Sequence, residues 1–503
     1  MRALGGGFGH ALWQAPHRPL FFLAGLWALT APLAWLLPAD FGPEPVSFHR
    51  HELLFGMGGA AVGGYLLTAL PAWTNRACRG RVGPRITGHL CLLWLLARLS
   101  FALSGHLPFA IHLIGGSAYF VLLASFLAKS LLQARLWNRL WTVLVVTALG
   151  TAEAFLAWPG DSGGTIDGSI LVTLLFALTI SLVGGRAVPA FTRHWLARTN
   201  SGTRLADTPL LQAAALVLHL AALIALLCGW EREAGFCLIL SALLQLVRLA
   251  RWRSWHALRY PALFILHLAW LWLPLGLALT GLALSAPDII DRATALHGLT
   301  MGAMGSMVLA IMARAAMVRE DGKLRLGLRL ALAFALVFLS AALRVLAPML
   351  TLDWLDPTTI PAAAWMLGWL FFLSAYPRAL TGPLEGPVLS AAHLRDHSLE
   401  QPRECAVSER WKTRNLPMPP MKSIPAPDTN PQTEAIEAIR PSFDDLVELS
   451  DISLGAAAGT DMPEALVALA RRAESVGWKL EDAKDAIRQL ARERLGAEGA
   501  AYD

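Results

Sequence analysis

Twelve apolar runs limit what this chain can fold into. They cover residues 20–38, 53–70, 86–104, 109–130, 140–158, 168–186, 209–228, 234–250, 261–283, 294–313, 327–347 and 361–380. Each is close to the roughly twenty residues that a helix needs to cross about 30 Å of hydrocarbon. The loops between them sort by charge. Those after even-numbered runs carry Arg76, Arg79, Arg81 and Arg85, then Lys129, Arg135 and Arg139, then Arg186, Arg193, Arg198 and Arg204. Arg251, Arg253 and Arg259 follow run eight, and Arg314, Arg319, Lys323 and Arg325 follow run ten. Loops after odd-numbered runs hold only Arg50, Arg232 and Arg292 among acidic residues such as Asp40, Glu44, Asp288 and Asp291. Basic loops stay in the cytoplasm. The sequence therefore predicts an all-α polytopic membrane protein with twelve transmembrane helices, both termini cytoplasmic, and a short helical appendage after them.

Composition agrees. Only 16% of the 503 residues are charged, where a soluble protein carries about a quarter. The first run, Leu20 to Leu37, is too long for a secretory signal and lacks an A-x-A cleavage site, so it reads as a spanning helix. Residues 1–384 hold 28 Lys/Arg against 15 Asp/Glu, a net of +13, and residues 385–503 hold 14 against 21, a net of −7. A basic membrane portion reflects loop charge, not nucleic-acid binding. Residues 385–432 are rich in proline and read as a cytoplasmic linker. Residues 433–503 read as a small acidic helical tail: Asp461 as a cap, Pro463 in the first turn, an apolar face from Leu466 to Val476, a break at Gly477 and a second helix through Leu480, Ile487 and Leu490. A third short helix is expected at 443–450. Such a tail is either solvated or a dock for a cytoplasmic protein partner.

Histidines carry the chemistry. Phe48 to Pro71 places His49, His51 and Glu52 directly before a glycine-rich run, and small residues let membrane helices approach closely. Imidazole is a common metal ligand and also ligates haem iron. Side chains two apart point the same way in an extended chain and diverge by about 200° on a helix. The H-x-H pair thus either clamps one metal from a loop or serves two sites from a helix. His297 starts run ten on the same outer face, above Gly298, Gly302 and Gly305. His267 lies in the inner third of run nine, His219 near the middle of run seven, and His112 at the outer end of run four. Each of these last three could equally be hydrogen-bonded to a neighbouring helix. An H-E-x-x-H zinc site fails because Phe55 stands where a histidine is needed, and no βαβ unit supports a dinucleotide site. Five scattered cysteines include no C-x-x-C-H, so any haem is held non-covalently. Arg186 and Arg314, at inner helix ends, are either topology anchors or partners for haem propionates, which arginine recognises bidentately.

These motifs, in this order, resemble the NnrS family of bacterial inner-membrane proteins. The resemblance is carried by PHRPLFFLAGLW (16–27), FHRHELLFGMGGAAVGGYLLTALPAWT (48–74), GGRAVPAFT (184–192), RWRSWHALRYP (251–261), LHLAWLWLPLG (266–276) and LHGLTMGAMGSMVLAIMAR (296–314). Phe48 and Leu53 depart from the family's usual Trp and Met, and the tail after 390 lies outside the resemblance. The resemblance implies a twelve-helix protein containing haem, b-type and non-covalent, and copper, with nitric oxide as its ligand and a role in nitric oxide metabolism and protection against nitrosative stress. It places ligands at His49, His51, His267 and His297, with Arg186 and Arg314 at the family's arginine positions. Whether such a protein turns nitric oxide over, as an oxidoreductase, stays open, because the runs hold few carboxylates, chiefly Glu153, with Glu52 at a mouth. A twelve-helix transporter with histidines along its pathway is the alternative, and a scaffold acting through its tail is a third.

Overall fold

The computed structural model describes residues 11–36, 44–74, 82–157, 168–199, 205, 208–320, 323–347, 358–384, 388–389, 431–449 and 462–499. The linker and the Asp461 cap expected from the sequence lie outside them, apart from the linker's Val388, Leu389, Pro431 and Gln432. Each apolar run coincides with one helix. These are α1 (His17–Thr30, followed by a 3₁₀ segment, Ala31–Leu36), α2 (Pro45–Trp73), α3 (Pro84–Ala102), α4 (Phe109–Gln133), α5 (Trp141–Ala157) and α6 (Gly168–Arg198). The series continues with α7 (Pro209–Leu227), α8 (Glu231–Arg251), α9 (Pro261–Ser285), α10 (Arg292–Ala316), α11 (Leu328–Leu346) and α12 (Thr359–Thr381). Ten of them are long and apolar enough to cross a membrane. The other two are α1, fourteen residues before its 3₁₀ segment, and α3, which carries Arg85 and Arg98.

Starts follow local chemistry. Pro84, Pro209 and Pro261 open their helices at the first turn, where a missing N–H costs nothing. The α2 start is capped by Glu44, whose carboxylate accepts from the Val46 and Ser47 amides at 2.9 and 2.8 Å. Asp291 caps α10 in the same way, accepting from the Thr294 amide at 2.8 Å. These two helices share a second feature. Each widens into a π-helical segment just below its histidines, at Glu52–Gly58 in α2 and Gly298–Gly305 in α10. Such widening offsets the backbone ladder and is frequent at functional sites.

The helices divide into an inner and an outer set. In α2, α6, α9 and α10, 67–72% of the apolar window is buried inside the molecule, against 33–39% in α4, α5, α7, α8, α11 and α12. Glycines admit the close packing this requires. A Cβ on Gly302 would sit 2.6 Å from the Trp272 ring, and one on Gly235 would sit 2.6 Å from the Gly281 carbonyl, where α8 and α9 cross backbone to backbone. The basic α10–α11 loop forms a small antiparallel pair of strands, Val318–Glu320 with Lys323–Arg325, in which the Leu324 amide donates to the Tyr260 hydroxyl at 2.8 Å.

Residues 395–503 form a compact unit apart from 1–394. Three helices, α13 (Pro431–Leu449), α14 (Glu464–Ser475) and α15 (Leu480–Gly499), enclose their own core of Ile439, Phe443, Leu466, Leu469, Trp478, Ile487 and Leu490. The expected third helix is thus longer and earlier than 443–450. Gly477, at φ +111°, makes the turn between α14 and α15.

Candidate functional site

The Pro45–His51 segment is α-helical, so the two histidines of the H-x-H motif diverge and enter different surroundings. His49 meets α10: its ring centroid lies 6.5 Å from that of His297 and 5.9 Å from that of Trp35. The His297 Nδ1 is 2.6 Å from the Ala293 carbonyl. A carbonyl only accepts, so Nδ1 carries the proton and Nε2 presents a lone pair. His49 Nδ1 is buried and has no hydrogen-bond partner among the described residues. The Arg344 guanidinium on α11 is near enough to act electrostatically on both rings. Asp291, outside the span, is held below the ordinary carboxylate range. Burial pulls its pKa upward, but hydrogen bonds from Thr294 and the charge of Arg344 outweigh that.

His51 points the other way, into a buried charged cluster. Its Nδ1 lies 2.9 Å from Glu52 Oε1, its Nε2 lies 3.5 Å from Glu153 Oε1, and its ring stacks flat on Phe101 at 3.6 Å. Arg98 bridges the carboxylates, reaching Glu52 Oε1 at 3.1 Å and Glu153 Oε1 at 2.9 Å. The Trp27 indole donates to the other Glu52 oxygen, and the Trp94 indole donates to the Gly56 carbonyl in the π segment. None of His51, Glu52, Arg98 and Glu153 is more than 6% exposed. Two carboxylates against one guanidinium leave one negative charge, which a single proton on the cluster cancels. Glu52 is therefore not at a mouth, as its place before the apolar run suggested, but in the interior.

The remaining histidines are already engaged to different degrees. Thr192 donates its hydroxyl to the Val188 carbonyl at 2.8 Å, so it accepts from His267 Nε2 at 2.9 Å, and His267 Nδ1 is 2.9 Å from the Ser254 hydroxyl. Both nitrogens of His267 are thus occupied. This contact joins two sequence motifs, since Thr192 ends GGRAVPAFT. His219 donates from Nε2 to the Leu174 carbonyl at 3.1 Å, and its Nδ1 is buried without a partner among the described residues. His112 Nδ1 sits 3.2 Å from the Ser100 carbonyl. The Arg314 guanidinium is spent on the Leu389 and Ala262 carbonyls at 2.6 and 2.9 Å and lies over Phe191, whereas Arg186 is exposed and stacks over Trp141.

Sequence reasoning missed Arg98 and Arg248. Arg248 is buried between Trp252 and Trp270, bound to Gln245 at 2.6 Å and to the Gly185 carbonyl at 3.1 Å, with no carboxylate partner among the described residues. The signal was present, because an ionisable residue inside an apolar run is a functional candidate by default. No group of three or more His, Cys, Asp or Glu side chains among the described residues is placed to hold a metal ion. The family model described as NnrS protein matches residues 11–383. No curated protein matches the chain.

Proposed function

The chain belongs to the NnrS family, and from that premise we propose that it is a haem- and copper-containing membrane protein that binds nitric oxide and protects against nitrosative stress. Family membership supports the link to nitric oxide. The observation that carries the metal assignment is the meeting of His49 and His297, which lie 248 residues apart in sequence and on two inner helices of like design. Their ring centroids lie 6.5 Å apart, so that both imidazoles could hold one ion between them. The free His49 Nδ1 and the His297 tautomer fixed by Ala293 fit a metal. When bound, the metal supplies an open coordination position for nitric oxide, a small apolar molecule that reaches the bundle from lipid. His51, held by two carboxylates, and His267, held by two hydroxyls, take positioning roles in this reading.

The same reading places the protein in the bacterial inner membrane with twelve spans, α1 and α3 included, and both termini in the cytoplasm. The test is a visible absorption spectrum with metal analysis of the purified chain and of His49→Ala, His297→Ala, His51→Ala and His267→Ala. Loss of haem or copper in the first two variants and retention in the last two is the expected result. Retention in His49→Ala and His297→Ala alike would overturn the assignment. A second reading, transport, rests on the buried His51–Glu52–Arg98–Glu153 cluster, since ionisable groups inside a bundle also line solute and proton pathways. A haem-free, metal-free, well-folded protein from haem-supplied cells would favour it.

A further inference from the structure

A half-open apolar groove lies between α1, α2, α5, α6 and α10. Its walls include Phe21, Val145, Ile180, Val183, Met307 and Met312. No histidine, cysteine or carboxylate lines it. At one end the groove meets two cations. The Arg186 guanidinium lies 4.7 Å over the ring of Trp141, itself a wall residue. Arg139 lies 5.1 Å over Trp73, and its carbonyl accepts from the hydroxyl of Thr142, another wall residue. The two arginines are within electrostatic reach of one another. Neither has a carboxylate within ion-pair distance among the described residues. The buried indole N–H of Trp141 has no hydrogen-bond acceptor among the described residues either.

Two like charges and an unused donor beside an apolar slot match an anionic headgroup carrying a hydrocarbon tail. We propose that this groove binds an anionic phospholipid, with one acyl chain between α2, α5, α6 and α10 and its phosphate held by Arg139 and Arg186. The charge arrangement is what distinguishes this from ordinary lipid contact. A neutral acyl chain would be served by the apolar walls alone, whereas two neighbouring cations at the rim, with no carboxylate partner among the described residues, favour an anionic headgroup over a neutral one. Because α2, α6 and α10 are inner helices, the lipid would reach the centre of the bundle rather than coat its outside. The proposal shares no residue with the histidine pair, and it gives Arg186 to a phospholipid phosphate rather than to a haem propionate.

The experiment uses the full chain, purified in mild detergent and mixed with either phosphatidylglycerol or phosphatidylcholine of identical chains. Lipids retained per protein are counted by native mass spectrometry. One phosphatidylglycerol should be retained with a preference of about thirtyfold, the order expected of two surface cations acting on one anionic headgroup. The Arg139→Gln/Arg186→Gln variant should lose the preference, and Arg139→Lys/Arg186→Lys should keep most of it. Val183→Trp, which fills the groove and leaves both arginines, should release the lipid. Equal retention of the two lipids by the parent would overturn the proposal. So would a phosphatidylglycerol preference that survives the glutamine variant, or a lipid that stays bound in Val183→Trp. Variants are compared only as monodisperse, helical preparations, and Arg186→Gln alone provides the reading if the double variant fails to fold.

Discussion

His49 and His51 stand two residues apart on one helix, yet their surroundings are opposites. The His49 ring keeps a nitrogen without a partner among the described residues, beside a second histidine whose Nδ1 proton goes to the Ala293 carbonyl. The His51 ring has given both nitrogens to carboxylates and its face to Phe101. The first arrangement is short of a partner, and the second is complete without one. The helix itself causes the difference, because about 200° of rotation sends adjacent motif positions to opposite neighbours. A histidine motif that the sequence left as either one clamp or two separate sites thus divides, in the fold, into two different environments.

The largest effect should come from breaking the complete side. Arg98→Leu leaves Glu52 and Glu153 without their cation in a buried site, and removing one partner of such a group costs about 3–5 kcal/mol. Thermal unfolding in detergent should show a large loss. Arg98→Leu/Glu153→Gln should recover about half of that cost on the same principle, because Glu52 keeps His51 and Trp27 while the second carboxylate is gone. A single variant as stable as the parent would mean that the cluster is solvated rather than closed. On the incomplete side the effect has the opposite sign. Added copper at a hundredfold excess over its dissociation constant should stabilise the parent by about 2.7 kcal/mol, and should leave His49→Ala unmoved. Copper that stabilises both equally would place the ion elsewhere.

The same contrast explains what could be read from the sequence. Each apolar run became a helix, because a long apolar segment can satisfy all its own backbone hydrogen bonds only as a helix. The burial of Glu52 was missed for a local reason. The run begins at Leu53, but Glu44 and Pro45 start the helix eight residues earlier, adding about 12 Å at 1.5 Å per residue and carrying the charged residues inward. Arg98 was legible only as one cation in an apolar run, and its partners lie 46 and 55 residues away, on other helices. The hairpin at 318–325 had a signal, the Asp321-Gly322 pair between short alternating segments, which the reading of that stretch as a plain basic loop passed over. The π segments in α2 and α10 have none, since periodicity alone does not distinguish them from α-helix. The pairing of His49 with His297 was suggested by the likeness of two motifs, but only the fold brings their rings together.

A moderate effect should separate the cluster's neutral partner from its charged ones. Trp27 donates its indole N–H to Glu52, and a hydrogen bond to a charged group is worth about 1.5–3 kcal/mol. Trp27→Phe should therefore cost roughly that much and leave metal content unchanged, since Trp27 touches neither His49 nor His297 among the described contacts. A loss of metal in this variant would show that the two sides of α2 are coupled and that the division drawn here is too sharp.

The smallest effect concerns the caps that start the two histidine helices. Glu44 accepts backbone bonds from Val46 and Ser47, which hold its carboxyl below the ordinary range. Asp291 is also held low, burial opposing and the Thr294 bonds and Arg344 prevailing. A carboxylate whose folded pKa lies below its unfolded value contributes stability that is complete above the unfolded value, near 4, and is lost as pH falls through the folded one. Acidification from pH 6 to about 3 should therefore loosen the first turns of α2 and α10 before the rest of either helix. Hydrogen exchange, corrected for intrinsic rates, should rise at residues 45–51 and 292–297 on acidification, and in Glu44→Ala and Asp291→Ala at neutral pH. If the metal bridges His49 and His297, its presence should suppress this rise in both segments together, because one ion would then tie the two helix starts to each other. Protection of only one segment would leave the other histidine outside the site.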